Sequence, residues 1–126
     1  MNVLLFSREY SQRDDIIMRS LLKHTDSQNI AVCRTLRTLE AHLASQTSRP
    51  GIVIISVPDE AELREMVSLG ELFSGILMVL MLPDQREEVL TLAHKLRPRF
   101  IDFTGNSPDG VLSVIENLAR QSESGR

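Results

Sequence analysis

The sequence predicts an α/β domain in which a parallel β-sheet is covered by helices on both faces, which is a three-layer doubly wound fold. A short apolar strand pattern followed by a helical pattern occurs five times, with strands about 20–25 residues apart. Four consecutive β-branched residues, Ile52 to Ile55, lie between Pro50-Gly51 and Ser56, as expected for a strand buried on both faces. Parallel neighbours need a helical crossover, and such crossovers are right-handed. Both observations therefore favour one sheet between two helical layers.

The first half of the chain predicts two strands and two helices. A first strand, 3–6, precedes a helix that begins at Ser11, whose hydroxyl stands three residues before Asp14 as in a capping box. A second strand, 30–33, follows a polar turn. The helix after it, around 36–43, has the weakest pattern and ends in a polar run before the central strand.

The second half repeats the strand-then-helix order three times. Asp59 is predicted to cap the helix after the central strand, with Glu62 at its third position, and Asp84 with Glu87 is predicted to do the same after a strand that ends at residue 82. A fifth strand, 100–103, leads to a strongly amphipathic last helix, for which Ser107 is the expected N-cap. We expect one domain, 1–120, and a flexible tail, 121–126.

Composition excludes several classes of function. The chain has 126 residues, 42% of them hydrophobic and 25% charged, with a formal net charge of -3, so nothing favours a nucleic-acid partner. No apolar run reaches the roughly 18 residues of a membrane helix, and no secretory signal pattern precedes Val3. A single cysteine, Cys33, rules out an internal disulfide. We therefore expect a cytoplasmic protein with no membrane or nucleic-acid partner.

The pattern resembles the receiver domain of bacterial response regulators, the phosphorylated modules of two-component signal transduction. Pro50 precedes the third strand and Pro58 follows it, and the resemblance covers nearly the whole chain. The matching segments are 3–7, 50–58, 76–82 and 100–111. The resemblance implies a flavodoxin-like five-stranded sheet in the order 2-1-3-4-5. It also implies a magnesium site of acidic residues, an aspartate that accepts a phosphoryl group, a Ser or Thr, and a lysine at the strand tips.

This sequence departs from the receiver pattern where that resemblance places the metal and the phosphoryl acceptor. The acidic pair after the first strand falls on Ser7 and Arg8, and Glu9 is the nearest carboxylate in sequence. The phosphoryl-accepting position falls on Ser56. Magnesium requires anionic oxygen ligands, which these residues scarcely offer.

The two remaining receiver positions also differ. The hydroxyl position at the fourth strand falls on Leu82, and the lysine position falls on Thr104, which Gly105 follows in place of proline. We therefore expect a degenerate receiver, or pseudo-receiver, without aspartyl phosphorylation. The sequence predicts no catalytic residue, no metal ligand and no cofactor.

Several strand-tip residues allow a second interpretation. Arg8 could cover the strand tips and receive an anion from a partner, or be a solvated loop arginine. Ser56 could be modified in place of aspartate, although a capping hydroxyl is the simpler interpretation. Glu9, Asp59 and Asp84 could gather a metal, although helix capping explains the two aspartates.

Interaction with a protein partner, or with a second copy, is the function that the sequence favours. Receivers commonly use the face of the fourth helix, fifth strand and fifth helix, where mixed charges surround an apolar centre. The alternative is a solvated surface. A flavodoxin-like domain that binds a small molecule or cofactor at the strand tips is the second functional hypothesis. The residues predicted for the interaction face are Glu87, Lys95, Arg97, Arg99, Asp102, Glu116 and Arg120.

Overall fold

A computed structural model describes residues 2–47 and 49–124 and contains one parallel five-stranded sheet in the order β2-β1-β3-β4-β5. The central strand pairs with β1 on one side and with β4 on the other. The order confirms the predicted doubly wound, flavodoxin-like fold. The strands are β1 Val3–Phe6, β2 Ile30–Cys33, β3 Ile52–Ser56, β4 Leu77–Leu82 and β5 Phe100–Phe103.

The described residues form five α-helices that cover both faces of the sheet; the first four connect successive strands, and the fifth follows β5. Helices α2, α3 and α4 pack on one face, and α1 and α5 pack on the other. Two 3₁₀ turns, Ser27–Asn29 and Gly70–Phe73, lie before β2 and β4. The helices are α1 Gln12–Leu22, α2 Leu36–Ala44, α3 Glu60–Ser68, α4 Glu87–Lys95 and α5 Asp109–Ser124.

Alternation along the central strand builds two cores. Val53 and Ile55 pack in the layer of α2, α3 and α4, whereas Ile52 and Ile54 pack in the layer of α1 and α5. All four side chains are buried. Burial of such a side chain contributes about 1.5–3 kcal/mol, so β3 supports both layers at once.

Two of the four predicted capping arrangements are present. Ser11 and Asp14 form a complete capping box at α1, and Asp59 accepts a 2.8 Å hydrogen bond from the Glu62 amide at α3. The prediction for Asp84 is wrong, because α4 begins after Arg86 without a side-chain cap. Asp84 instead accepts hydrogen bonds from the amide and Nε of Arg86. These bonds hold the pKa of Asp84 below its ordinary value.

The last helix begins one residue later and ends later than predicted. Ser107 donates its hydroxyl to Asp109 at 3.2 Å, and α5 starts at Asp109. The helix then continues to Ser124, so the predicted tail is helical over 121–124. Residues 125 and 126 lie outside the described residues. None of the described helices combines the length and the apolar character that a membrane crossing requires.

Arg97 has an unusual backbone conformation for a residue with a side chain. It lies directly after α4 with a φ of 53°, in the left-handed region that favours glycine. Replacement by glycine removes the Cβ strain of about 1–2 kcal/mol but adds chain entropy to the unfolded state. We expect Arg97→Gly to raise the free energy of unfolding by about 0.5–1 kcal/mol in urea titrations at low protein concentration. A decrease would contradict this assignment of strain.

Candidate functional site

A cavity of about 510 Å³ lies at the carboxyl ends of the strands, where parallel sheets bind ligands. It contains most of the positions singled out from the sequence. Of the six mapped receiver positions, Leu82 is the exception, because it is fully buried in the core beside α3 and α4, and Pro83 lines the cavity instead. Asp59 and Asp84, the two capping candidates, are not among the residues that line it. The predicted positions that line the cavity are Ser7, Arg8, Glu9, Ser56 and Thr104.

Ser7 and Asp14 form a buried polar pair at the base of this cavity. Ser7 is only 3% exposed. Its hydroxyl donates a 2.8 Å hydrogen bond to Asp14 Oδ2. The same oxygen accepts from the amide and the hydroxyl of Ser11, at 2.8 and 3.0 Å. Ser7 is thus a structural donor rather than an exposed nucleophile, and Asp14 ties the β1–α1 loop to the first turn of α1.

Arg8 extends from the β1–α1 loop to α3. Its Nη2 lies 2.8 Å from Oε2 of Glu62, whose side chain is 4% exposed, whereas that of Arg8 is 54% exposed. The contact is an ion pair between an exposed guanidinium and a buried carboxylate. Burial raises the pKa of Glu62 above its ordinary value, and Arg8 partly offsets that effect. Arg8 is therefore the partner of a buried carboxylate.

This ion pair makes stability depend on pH. The pKa of Glu62 is raised in the folded state, so folding favours the protonated carboxyl. The resulting stabilisation is complete below pH 4.5, the ordinary pKa, and is lost as the pH rises through the folded-state pKa. Arg8→Met removes the offsetting charge and raises that pKa further. We expect the free energy of unfolding of the variant to fall by about 1–2 kcal/mol at neutral pH and by much less below pH 4.5. The first figure already allows for the solvent exposure of Arg8.

The control for this prediction is Arg8→Met in a Glu62→Gln background. Without a titrating carboxyl at position 62, the arginine substitution should have the same effect at every pH. Urea titrations from acid to neutral pH measure both comparisons. A pH-dependent effect that persists in the Glu62→Gln background would assign the coupling to another group.

Arg13 links α1 to the β5–α5 loop. Its Nη1 donates to the carbonyl oxygen of Asn106, and its Nε donates to Met81 Sδ at 3.4 Å. Asn106 in turn donates from Nδ2 to Asp102 Oδ1 at 2.8 Å. Asp102 Oδ2 lies 4.0 Å from Arg13 Nη2, which closes the network. A cation from α1 thus holds the loop in which the receiver pattern places a lysine.

The position of Asp102 corrects the prediction that it lies on an exposed interaction face. The residue is 8% exposed, because strand alternation directs it towards α1 and α5, beneath the first turn of the last helix. A Cβ atom at Gly110 would lie 3.2 Å from Asp102 Oδ2. The other predicted residues are exposed, and they are Glu87, Lys95, Arg97, Arg99, Glu116 and Arg120.

The three positions that hold the metal and the phosphoryl group in the receiver pattern offer no carboxylate in this chain. The acceptor position offers the hydroxyl of Ser56, and the acidic-pair positions offer the hydroxyl of Ser7 and the cation of Arg8. Asp14 supplies one buried oxygen, Oδ1, without a hydrogen-bond partner, while its Oδ2 is already saturated. Across residues 2–47 and 49–124, no three His, Cys, Asp or Glu side chains are grouped to hold a metal.

Sequence reasoning missed the functions of three residues. Asp14 was assigned only to the capping box, and its bond to Ser7 depends on how the loop folds back. Arg13 carried a detectable signal, because a cation in the first turn of a helix opposes the helix dipole and needs another explanation. Glu62 carried none, since a glutamate at the third position of a helix is common.

Comparison with known proteins finds similarity in fold. The chain matches no protein-family model and no curated protein. It is similar to the crystal structure of a response regulator CheY-like protein from Mesorhizobium loti, with a TM-score of 0.71 and 17% identity over 94% of this chain and 97% of that one.

Two further structures are similar. One is a "putative pilus assembly-related protein" of Burkholderia pseudomallei K96243, with a TM-score of 0.62 and 20% identity over 96% of this chain and 90% of that one. The other is a "putative pilus assembly protein" of Burkholderia thailandensis E264, with a TM-score of 0.64 and 21% identity over 96% of this chain and 99% of that one. The chain therefore has the fold of CheY-like response regulators over nearly its full length.

Proposed function

We propose that this chain is a pseudo-receiver: a cytoplasmic bacterial signalling module that acts through protein–protein interaction without phosphoryl transfer. The fold supports a receiver-like module, and the chemistry of the strand tips supports the loss of phosphorylation. The observation that carries the proposal is that the tips present Ser7, Arg8 and Ser56 where the receiver pattern calls for carboxylates.

The contacts of two arginines support the same proposal. Arg8 bridges the β1–α1 loop to α3 through Glu62, and Arg13 bridges α1 to the β5–α5 loop through Asn106. Both bridges form within the chain itself. In this account they lock the strand-tip loops in one conformation, so the module presents one surface to its partner.

Exposure to a small phosphoryl donor with magnesium tests the proposal. We expect the intact mass to stay unchanged, because Ser56 lacks a carboxylate and the positions of the receiver's acidic pair hold Ser7 and Arg8. A receiver with an intact acidic site, treated in parallel, is the positive control. Acid-labile phosphate on any aspartate of this chain would overturn the proposal.

The exposed charges of α4, β5 and α5 supply the proposed interaction face. Arg99 and Arg120 flank a groove of about 310 Å³ whose floor includes Phe100, Val114 and Leu118. An apolar floor with charged edges is typical of protein interfaces. Because two similar structures are named for pilus assembly, a role in assembling a protein complex is one form that this interaction would take.

A flavodoxin-like ligand-binding domain is the second candidate, and the strand-tip cavity favours it. Its volume, about 510 Å³, falls in the usual range for small-molecule sites, and several hydroxyls line it. A thermal shift with flavin mononucleotide or nucleotides, or a yellow preparation, would support this candidate. A colourless protein with an unchanged melting temperature would exclude these ligands.

A further inference from the structure

Strand β2 forms one edge of the sheet, and β1 is its only neighbour there. In the parallel register, Phe6 lies opposite Cys33, and the Ser7 amide donates to the Cys33 carbonyl oxygen. Cys33 therefore directs its own amide and carbonyl towards β1, and the alternation of a parallel strand directs those of Val32 away from the sheet. The backbone N–H and C=O of Val32 thus find no partner within the sheet.

The side chains of β2 leave this edge open to another strand. Val32 is 41% exposed, and of the four large apolar side chains exposed in the described part of the chain it is the one that lies in a strand. β2 contains no charged residue and no proline, two of the features that prevent pairing at natural sheet edges. The other edge strand, β5, contains the inward-pointing Asp102 and follows Pro98. One edge of the sheet is therefore protected and the other is not.

The outward groups of β2 match those of a second, antiparallel copy of the same strand. The alternation that turns Val32 outward also turns out the Ile30 carbonyl and, one residue beyond the strand, the Arg34 amide. The chain is still extended at Thr35. The Ile30 amide needs no partner, because it already donates to the Ser27 carbonyl oxygen. With Val32 opposite its counterpart, the two amides of each chain meet the two carbonyls of the other, so about four hydrogen bonds form.

We propose that a second copy of this chain adds its β2 antiparallel to β2, about a two-fold axis at Val32, and joins the two sheets into one. The two Val32 side chains then pack together on the α1 side of the sheet, the side on which the paired residue Leu5 is buried. This edge lies opposite the proposed interaction face and does not depend on it. Because the strand is short, we expect a weak dimer. Added salt should not dissociate it, since the copies share a net charge of -3.

Charged substitutions at Val32 test the two-fold register. Val32→Lys and Val32→Glu each place two like charges side by side at the axis. In sedimentation equilibrium, each variant alone should therefore dimerise with a dissociation constant at least about tenfold weaker than that of the unmodified chain. An equimolar mixture of the two variants should associate again, because lysine then lies opposite glutamate. Val32→Thr keeps an uncharged, β-branched side chain and should leave the dissociation constant unchanged.

The backbone contribution is tested separately. Val32→Pro removes the outward N–H without removing a hydrogen bond to β1, so it should also weaken the dimer at least about tenfold. Hydrogen exchange on the unmodified chain needs no substitution: protection of the Val32 amide should rise with protein concentration. The Cys33 amide, which faces β1, should be protected at every concentration. Circular dichroism verifies that each variant is folded.

Ile16→Lys is the matched control, because Ile16 is a 40% exposed apolar residue on α1, and its replacement should leave the dimer unchanged. Four results would overturn the inference: a monomer up to about 1 mM, a dimer indifferent to the Val32 substitutions, a lysine and glutamate mixture that does not reassociate, or equal weakening by Ile16→Lys and Val32→Lys. None of them bears on phosphoryl transfer, which the magnesium and phosphoryl-donor experiment tests.

Discussion

Replacement of Asp14 with alanine is expected to lower the free energy of unfolding by about 2–4 kcal/mol, one of the two largest effects of a strand-tip substitution. Oδ2 of Asp14 accepts hydrogen bonds from the Ser7 hydroxyl and from the amide and hydroxyl of Ser11. Alanine removes the capping box and leaves the buried Ser7 hydroxyl without this acceptor. Urea denaturation of the variant and the parent measures the loss.

Asp15→Ala is the matched control, because it removes a carboxylate from the same helical turn. Asp15 forms an exposed pair with Arg19 at 3.1 Å, four positions along α1. Such a pair contributes only about 0.3–0.5 kcal/mol. Equal losses for the two variants would show that Asp14 acts only as a first-turn charge and would refute its assignment as the acceptor that holds the loop.

Arg13→Met is expected to lower the free energy of unfolding by about 1.5–3 kcal/mol, because it removes a charged donor to the Asn106 carbonyl. Methionine keeps an apolar side chain of similar length. Asp102 retains its bond from Asn106 but loses the nearby cation. We also expect faster hydrogen exchange at the amides of residues 104–106, because the β5–α5 loop loses its attachment to α1.

The control is Arg19→Met, on the same helix. The Arg19 side chain is 77% exposed, so its loss should cost about 0.5 kcal/mol or less. If Arg13→Met proved as mild as Arg19→Met and left exchange in the loop unchanged, the Arg13 network would have no role in holding the strand tips together.

The fold could be predicted because local patterns and global architecture agree in this chain. The β-branched run Ile52 to Ile55 indicates a strand that is buried on both faces. Such a strand requires a sheet that helices cover on both sides, as observed here. The cap at Asp59 was predictable because its acceptor lies three residues from its donor. The proposed cap at Asp84 failed because Arg86 competes for the same oxygen.

The candidate site was predictable in part. The positions of Ser7, Arg8 and Ser56 follow from strand ends, and the topology brings them to one cavity. Their partners do not follow, because Arg8 meets Glu62 and Arg13 meets Asn106 across large separations in sequence. Asp102 was predicted to lie on the exposed face of α4, β5 and α5, whereas strand alternation places it beneath α5.

A magnesium titration followed through the backbone amide resonances of Ser7, Ser56 and Thr104 tests the central claim most directly. The claim is that hydroxyls and arginine contacts replace the anionic oxygens at the strand tips. It predicts small, non-saturating shifts that added sodium salt reproduces at equal ionic strength. Saturable shifts centred on these three amides, specific to the divalent ion, would contradict it.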